Sequence, residues 1–88
     1  MGSLLVNSQI NSVIVDPRNP KIVFAAGPAG IFRSDDAGLN WKTLNQNLGA
    51  VIALALNPNQ PDTMFAATVD GALFRSDDAA QSWKSISQ

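Results

Sequence analysis

The sequence predicts an all-β chain built from two copies of one four-stranded antiparallel unit. Two segments align at an offset of about 41 residues, short apolar runs alternate with turn residues, and no window has a helical period. Four short strands in a repeat of about 40 residues is the size of one β-propeller blade. We therefore expect a tag remnant and linker over 1–11, blade 1 over 12–46, a linker over 47–52 and blade 2 over 53–88.

Each copy is predicted to contain four strands. The first strand ends at Asp16-Pro17 or Asn57-Pro58, because proline cannot donate to a β-ladder. The second ends in a pair of alanines, which are small enough to let neighbouring sheets approach closely. The predicted strands are 13–15, 22–26, 30–34 and 41–44 in the first copy, and 54–56, 63–67, 72–76 and 83–86 in the second.

Composition excludes several classes of function. Six basic and seven acidic residues give a net charge of −1, so no nucleic acid or membrane partner is predicted. The absence of cysteine and histidine removes thiolate zinc sites and the commonest general base. No cofactor is predicted, and the sequence carries no prediction of localisation.

The matched segments include an eight-residue motif in each copy. The first is Ser34-Asp35-Asp36-Ala37-Gly38-Leu39-Asn40-Trp41, and the second is Ser76-Asp77-Asp78-Ala79-Ala80-Gln81-Ser82-Trp83. Both resemble the Asp-box of BNR repeats, Ser-x-Asp-x-Gly-x-Thr-Trp. Two residues depart from that pattern, Asn40 at the Thr place and Ala80 at the Gly place. The resemblance implies a β-propeller of the kind found in sialidases, sortilin-type receptors and photosystem assembly factors.

The residues of the two boxes are predicted to have a structural role. We expect Asp36 and Asp78 to accept backbone N–H bonds within the turn, and Trp41 and Trp83 to anchor it by burial of their rings. Glycine suits a position of positive φ, where alanine costs on the order of 1 kcal/mol, so the second turn is expected to be weaker or reshaped. The structural set is Ser34, Asp36, Gly38, Trp41, Ser76, Asp78, Ala80 and Trp83.

No enzyme activity and no metal site are predicted. The resemblance to sialidases implies a tyrosine nucleophile with a glutamate partner, but the chain has no tyrosine and all seven of its acids are aspartates. The box aspartates lack the further oxygen ligands that a calcium ion needs. Asp70 is the one acid outside the boxes and the proline turns, and Asp70-Gly71 is typical of a hairpin turn.

Two blades do not close a ring, so we expect a homo-oligomer, with three copies giving six blades or four copies giving eight. The predicted function is a non-catalytic scaffold or interaction surface. A lectin-like glycan-binding propeller is the alternative, and a glycan or peptide would meet a candidate ligand face formed by Asn45, Gln46, Asn47 and Asp70. The uneven repeats favour a fragment or descendant of a longer natural propeller, and the sequence does not separate a natural short protein from an excised or engineered fragment.

Overall fold

The computed structural model describes residues 9–44 and 48–86, which form eight strands and no helix. No helix in these ranges therefore has the length and hydropathy to cross a membrane. Each sheet is antiparallel, and its strand order follows the chain. The first sheet contains β1 (Ser12–Val15), β2 (Val23–Gly27), β3 (Gly30–Ser34) and β4 (Lys42–Thr43). The second contains β5 (Val51–Asn57), β6 (Gln60–Thr68), β7 (Leu73–Ser76) and β8 (Lys84–Ser85).

Strand bounds differ from the predictions mainly at the fourth strand and at the start of the second sheet. β4 and β8 contain two residues each, so Trp41 and Trp83 precede these strands and do not lie within them. β5 begins at Val51, inside the segment assigned to the linker 47–52. β6 begins at Gln60, because Asn57 pairs with Gln60 and leaves a two-residue connection between the strands.

A β-bulge explains the early start of β5. The register shifts between Val51 and Ala53, which leaves Ile52 as the extra residue and changes the alternation of the strand. As a result, both Val51 and Leu54 are buried, although residues three apart point to opposite faces of a regular strand. A strand with strict two-residue alternation would not bury both residues.

The two sheets pack face to face, and the core lies between them. The inner face of the first sheet carries Ile14, Phe24, Ala26 and Ile31, which the strand pairing places on one side. Phe24 is 2% exposed, and Ala26 and Ile31 are fully buried. The second sheet covers this face with Val51, Leu54, Met64 and Ala66, and the partly buried Leu56 packs against the same cluster. One alanine of each predicted pair, Ala26 and Ala66, belongs to this core.

The two remaining faces of the sheets are covered only in part. On the first sheet, Val13 and Val15 of β1 point away from the core and are 57% and 48% exposed, whereas Ala25 and Phe32 on the same face are 0% and 4% exposed. On the second sheet, a groove of about 200 Å³ opens on the side away from the first sheet. We call this surface the outer groove. It is lined by Ala53, Leu54, Ala55, Phe65, Ala66, Ala67 and Leu73.

Candidate functional site

The first box forms a closed hydrogen-bonded turn between β3 and β4. Asp36 accepts the backbone N–H of Asn40 at 2.8 Å and the side-chain amide of Asn40 at 2.8 Å. The Ser34 hydroxyl donates to Asp36 at 2.8 Å and accepts the backbone N–H of Gly38 at 2.9 Å. Asn40, at the place where the pattern has threonine, therefore supplies an equivalent side-chain donor.

The second box forms the same turn, which corrects the expectation that Ala80 would reshape it. The backbone N–H of Ala80 donates to Ser76 at 2.9 Å, and the backbone N–H of Ser82 donates to Asp78 at 2.9 Å. Ala80 has φ of 71° and Gly38 has φ of 95°, so both lie in the left-handed region. The second turn therefore keeps its hydrogen bonds to Ser76 and Asp78, although a left-handed alanine costs roughly 1 kcal/mol.

Hydrogen bonding keeps both box carboxylates ionised. The side chain and backbone of Asn40, followed by the Ser34 hydroxyl, lower the pKa of Asp36 to about 2. Ser82 and Ser76 act in the same way on Asp78, whose pKa is also lowered to about 2. A carboxylate in this state is a poor general acid near neutral pH, because it holds no proton to donate. Among the described residues, no three acidic, histidine or cysteine side chains form a metal-binding group.

The two tryptophans differ in their hydrogen bonding. The indole N–H of Trp41 donates to the carbonyl of Gly38 at 2.9 Å and closes the first turn. The indole N–H of Trp83 is buried, and no described residue accepts a hydrogen bond from it. Trp83 instead packs against the core between the sheets together with Ala79 and Ala80. The second tryptophan therefore stabilises its turn by packing.

A small cleft lies beside each box. The basic residues on the flanking strands pair with box aspartates, with Arg33 2.8 Å and Lys42 3.7 Å from the carboxylate of Asp35. The Arg33 guanidinium also lies 5.5 Å from the ring centre of Phe24, and its side chain is only 22% exposed. The first cleft, of about 190 Å³, is lined by Arg33, Asp35, Asp36, Asn40, Trp41 and Lys42. The second, of about 250 Å³, is lined by Arg75, Asp77, Asp78, Ser82, Trp83 and Lys84.

The predicted ligand face is described only at Asp70. Its other members, Asn45, Gln46 and Asn47, lie outside the described residues. Asp70 accepts a hydrogen bond from the Thr68 hydroxyl, which lowers the pKa of the Asp70 carboxyl. The next residue, Gly71, has φ of 89° and donates its backbone N–H to Thr68 at 3.1 Å. The Asp70 carboxylate is thus part of a local turn.

Three polar side chains of the first copy reach across to the second sheet. The Asn11 amide donates to the carbonyl of Val51 at 2.9 Å, and the Ser12 hydroxyl accepts the backbone N–H of Leu54 at 3.1 Å. Arg18 lies 2.7 Å from Asp62. We call these contacts the polar clamp.

Local contacts hold Arg18 in its place in the clamp. Its guanidinium donates to both carboxylate oxygens of Asp16, at 3.1 and 3.0 Å, and this pairing lowers the pKa of Asp16. A cleft of about 530 Å³ opens beside Arg18 and Asp62. Sequence reasoning placed Arg18 and Asp62 in separate turns and missed their contact.

The outer groove repeats the inner face of the first sheet. Phe65 corresponds to Phe24, Ala67 to Ala26, and Leu73 to Ile31. Phe24, Ala26 and Ile31 are buried under the second sheet, whereas Leu73 is 39% exposed and Phe65 and Ala67 are only partly buried. The second sheet thus presents a partly exposed copy of a surface that is covered elsewhere in the same molecule.

Comparison with known proteins identifies the architecture. No family model matches the chain, and no curated protein matches it. Among solved structures, an ancestral GH74 enzyme superposes with a TM-score of 0.82 over 98% of this chain, at 19% sequence identity. The sheets are propeller-like blades. The match covers 13% of the enzyme chain, so it concerns the fold of one part of that protein.

Proposed function

We propose that the chain is a non-catalytic pair of Asp-box blades that assembles with copies of itself into a closed ring and serves as a scaffold or interaction surface. The observation that supports this is the outer groove, which reproduces the inner face of the first sheet without its cover. A second copy of the chain carries the matching cover. Val13 and Val15 of that copy correspond to Leu54 and Leu56, which pack on the inner face within one chain.

This pairing is head to tail, because the outer groove of one copy meets β1 of the next. Contacts of this type form a closed ring when the rotation between copies completes a circle. Three copies would give six blades and four would give eight. Completing the burial of Val13 and Val15, which are each about half exposed, contributes roughly 1 kcal/mol per side chain before association costs.

The same residues support a non-catalytic role. Asp36 and Asp78 are hydrogen-bonded within their turns, and the aspartates that flank them are paired with Arg33 and Arg75. Asp16 is paired with Arg18. Each of these carboxylates thus has a partner that accounts for its position. We infer that they hold turns together and do not act on a substrate.

Glycan binding by the same module is the second candidate, and the repeated clefts beside the boxes are the observation that favours it. Each cleft combines an indole ring with charged and amide or hydroxyl groups, a mixture that suits a polar ligand with one apolar face. A ring would present several such clefts. A glycan array probed with the assembled protein tests this candidate, and the absence of bound glycans would count against it.

Thermal unfolding at several protein concentrations tests the proposed assembly. If folding is coupled to association, the unfolding temperature rises with concentration, because mass action favours the assembled state. Circular dichroism at strand wavelengths follows the transition. An unfolding temperature that is independent of concentration, in a chain that stays monomeric, would contradict the proposal.

A further inference from the structure

The two copies of the repeat differ at every position of the polar clamp. Within the chain, the clamp is made by Asn11, Ser12 and Arg18 on the first sheet. The corresponding residues of the second sheet are Ile52, Ala53 and Asn59, which carry neither the hydroxyl nor the guanidinium. The ion-pair partner differs as well: Asp62 pairs with Arg18 within the chain, but its counterpart in the first copy is Lys21. A contact of the second sheet with the next copy therefore has no equivalent of the clamp.

The backbone shows that these positions are structurally equivalent. The backbone N–H of Arg18 donates to the side chain of Asp16 at 2.8 Å, and that of Asn59 donates to Asn57 at 2.9 Å, so both residues occupy the same place in one type of turn. The backbone carbonyl of Lys21 accepts the backbone N–H of Ala37 at 2.9 Å, and the backbone carbonyl of Asp62 accepts that of Ala79 at 3.0 Å. Asn59 of one copy would therefore face Lys21 of the next, as Arg18 faces Asp62 within one chain.

We propose that the outer groove binds β1 of a second copy of this chain through an apolar contact that lacks the polar clamp. This inference rests on the proposed function and specifies its interface. Ala53, Ala55, Phe65, Ala67 and Leu73 receive Val13 and Val15 of the neighbouring copy, and Ile52 adds an apolar side chain where the in-chain contact has Asn11.

The difference between the two contacts has two consequences. The in-chain contact combines apolar packing with an ion pair and three side-chain hydrogen bonds, so it keeps the two sheets together as one unit. The contact between copies depends on apolar burial, which weakens little when salt screens charges. The assembly therefore opens between chains before it opens within them, and its affinity depends only weakly on ionic strength.

Installing the missing ion pair tests the inference. The variants Asn59→Arg, Lys21→Asp and the double variant form a double-mutant cycle across the contact between copies. Asn59→Arg alone brings a guanidinium towards Lys21 and should weaken assembly about threefold per contact, whereas the double variant should strengthen it about threefold. Assembly of the double variant should also weaken as salt is added, unlike that of the wild type. Dissociation on dilution, followed by sedimentation velocity, gives these affinities.

A matched control distinguishes the effect of two charges that face each other from the effect of the changed net charge. Lys21→Asp combined with Ala29→Arg has the same net charge as the double variant, but Ala29 lies in the exposed β2–β3 turn at the opposite end of the sheet. This control should show no coupling. The inference would be overturned if the wild type assembles but Asn59→Arg and Lys21→Asp show no coupling. That result would leave the proposed assembly itself intact. A wild type that is monomeric at every concentration would instead refute the proposed function itself.

A second variant addresses the same contact without charge. Ala53→Ser returns the hydroxyl that Ser12 supplies within the chain, where it accepts the backbone N–H of Leu54. In the contact between copies, the equivalent acceptor would face the backbone N–H of Val13. One such hydrogen bond should strengthen assembly about fivefold per contact, and an unchanged affinity in this variant would argue against the proposed register of the two copies.

Discussion

The substitution Ala55→Asp separates assembly from folding. Ala55 lies on β5, is exposed in the single chain, and lines the outer groove. Its counterpart in the first copy, Ile14, packs against the core between the sheets. The substitution therefore changes a surface residue of the free chain but a buried residue of the proposed assembly.

The size of the effect on assembly depends on the surroundings of the new carboxylate in the free chain and in the assembly. In the free chain it remains in water, and the substitution changes the free energy of unfolding by about 1 kcal/mol or less, since aspartate is disfavoured within a strand. In the assembly it would face Val13 and Val15 of the neighbouring copy. Arg75, the cation in the same cross-strand row, lies over the Phe65 ring and is already paired with Asp77. An unpaired buried charge costs several kcal/mol, which corresponds to at least about a 100-fold loss of affinity per contact.

The assay compares this variant with Ala29→Asp, in which the same charge is added at an exposed turn alanine. Sedimentation velocity gives the mass of each protein, and circular dichroism reports strand content. We expect monomers that keep their strands for Ala55→Asp, and wild-type assembly for Ala29→Asp. Equal assembly of the two variants would refute the placement of the interface on the outer groove.

Three further predictions concern the box turns. The pKa of Asp36 and of Asp78 is lowered to about 2, so both carboxylates contribute their full stabilisation of the fold at pH values above the ordinary aspartate pKa near 4. That stabilisation should disappear as pH falls towards 2. An acid titration followed by circular dichroism measures the loss. Gly38→Ala should lower the free energy of unfolding by about 1 kcal/mol in urea denaturation, since its φ is 95° and its new methyl group meets only the Trp41 ring at an ordinary 3.7 Å. Trp41→Phe should destabilise more than Trp83→Phe in the same assay, because only the Trp41 indole has an acceptor among the described residues.

The sequence predicted the features that both copies share. The repeated phenylalanines, paired alanines and prolines located the strands, and the box residues located the turns. β3 has the predicted bounds, because glycine and the box serine mark its two ends. Ala80 adopts the positive φ that the box pattern requires of it. The expectation that its turn would be reshaped was wrong, since Ser76 and Asp78 bond to the backbone in the same way as in the first box; the alternative expectation, a weaker turn, stays a prediction.

The features that differ between copies could not be predicted in this way. The bulge at Ile52 moves the start of β5 into the predicted linker, and an alternation of apolar residues does not reveal an added residue. The polar clamp joins Arg18 to Asp62, which are far apart in the sequence and carry no shared motif. A signal was nevertheless present, because the clamp positions are among those at which the two copies diverge.

The mass of the wild-type protein under native conditions tests the central claim most directly. We predict an assembly of three or four times the 9.3 kDa of one chain in native mass spectrometry, with strand content retained in solution. A folded single chain of 9.3 kDa that does not associate at micromolar or higher concentration would contradict the account.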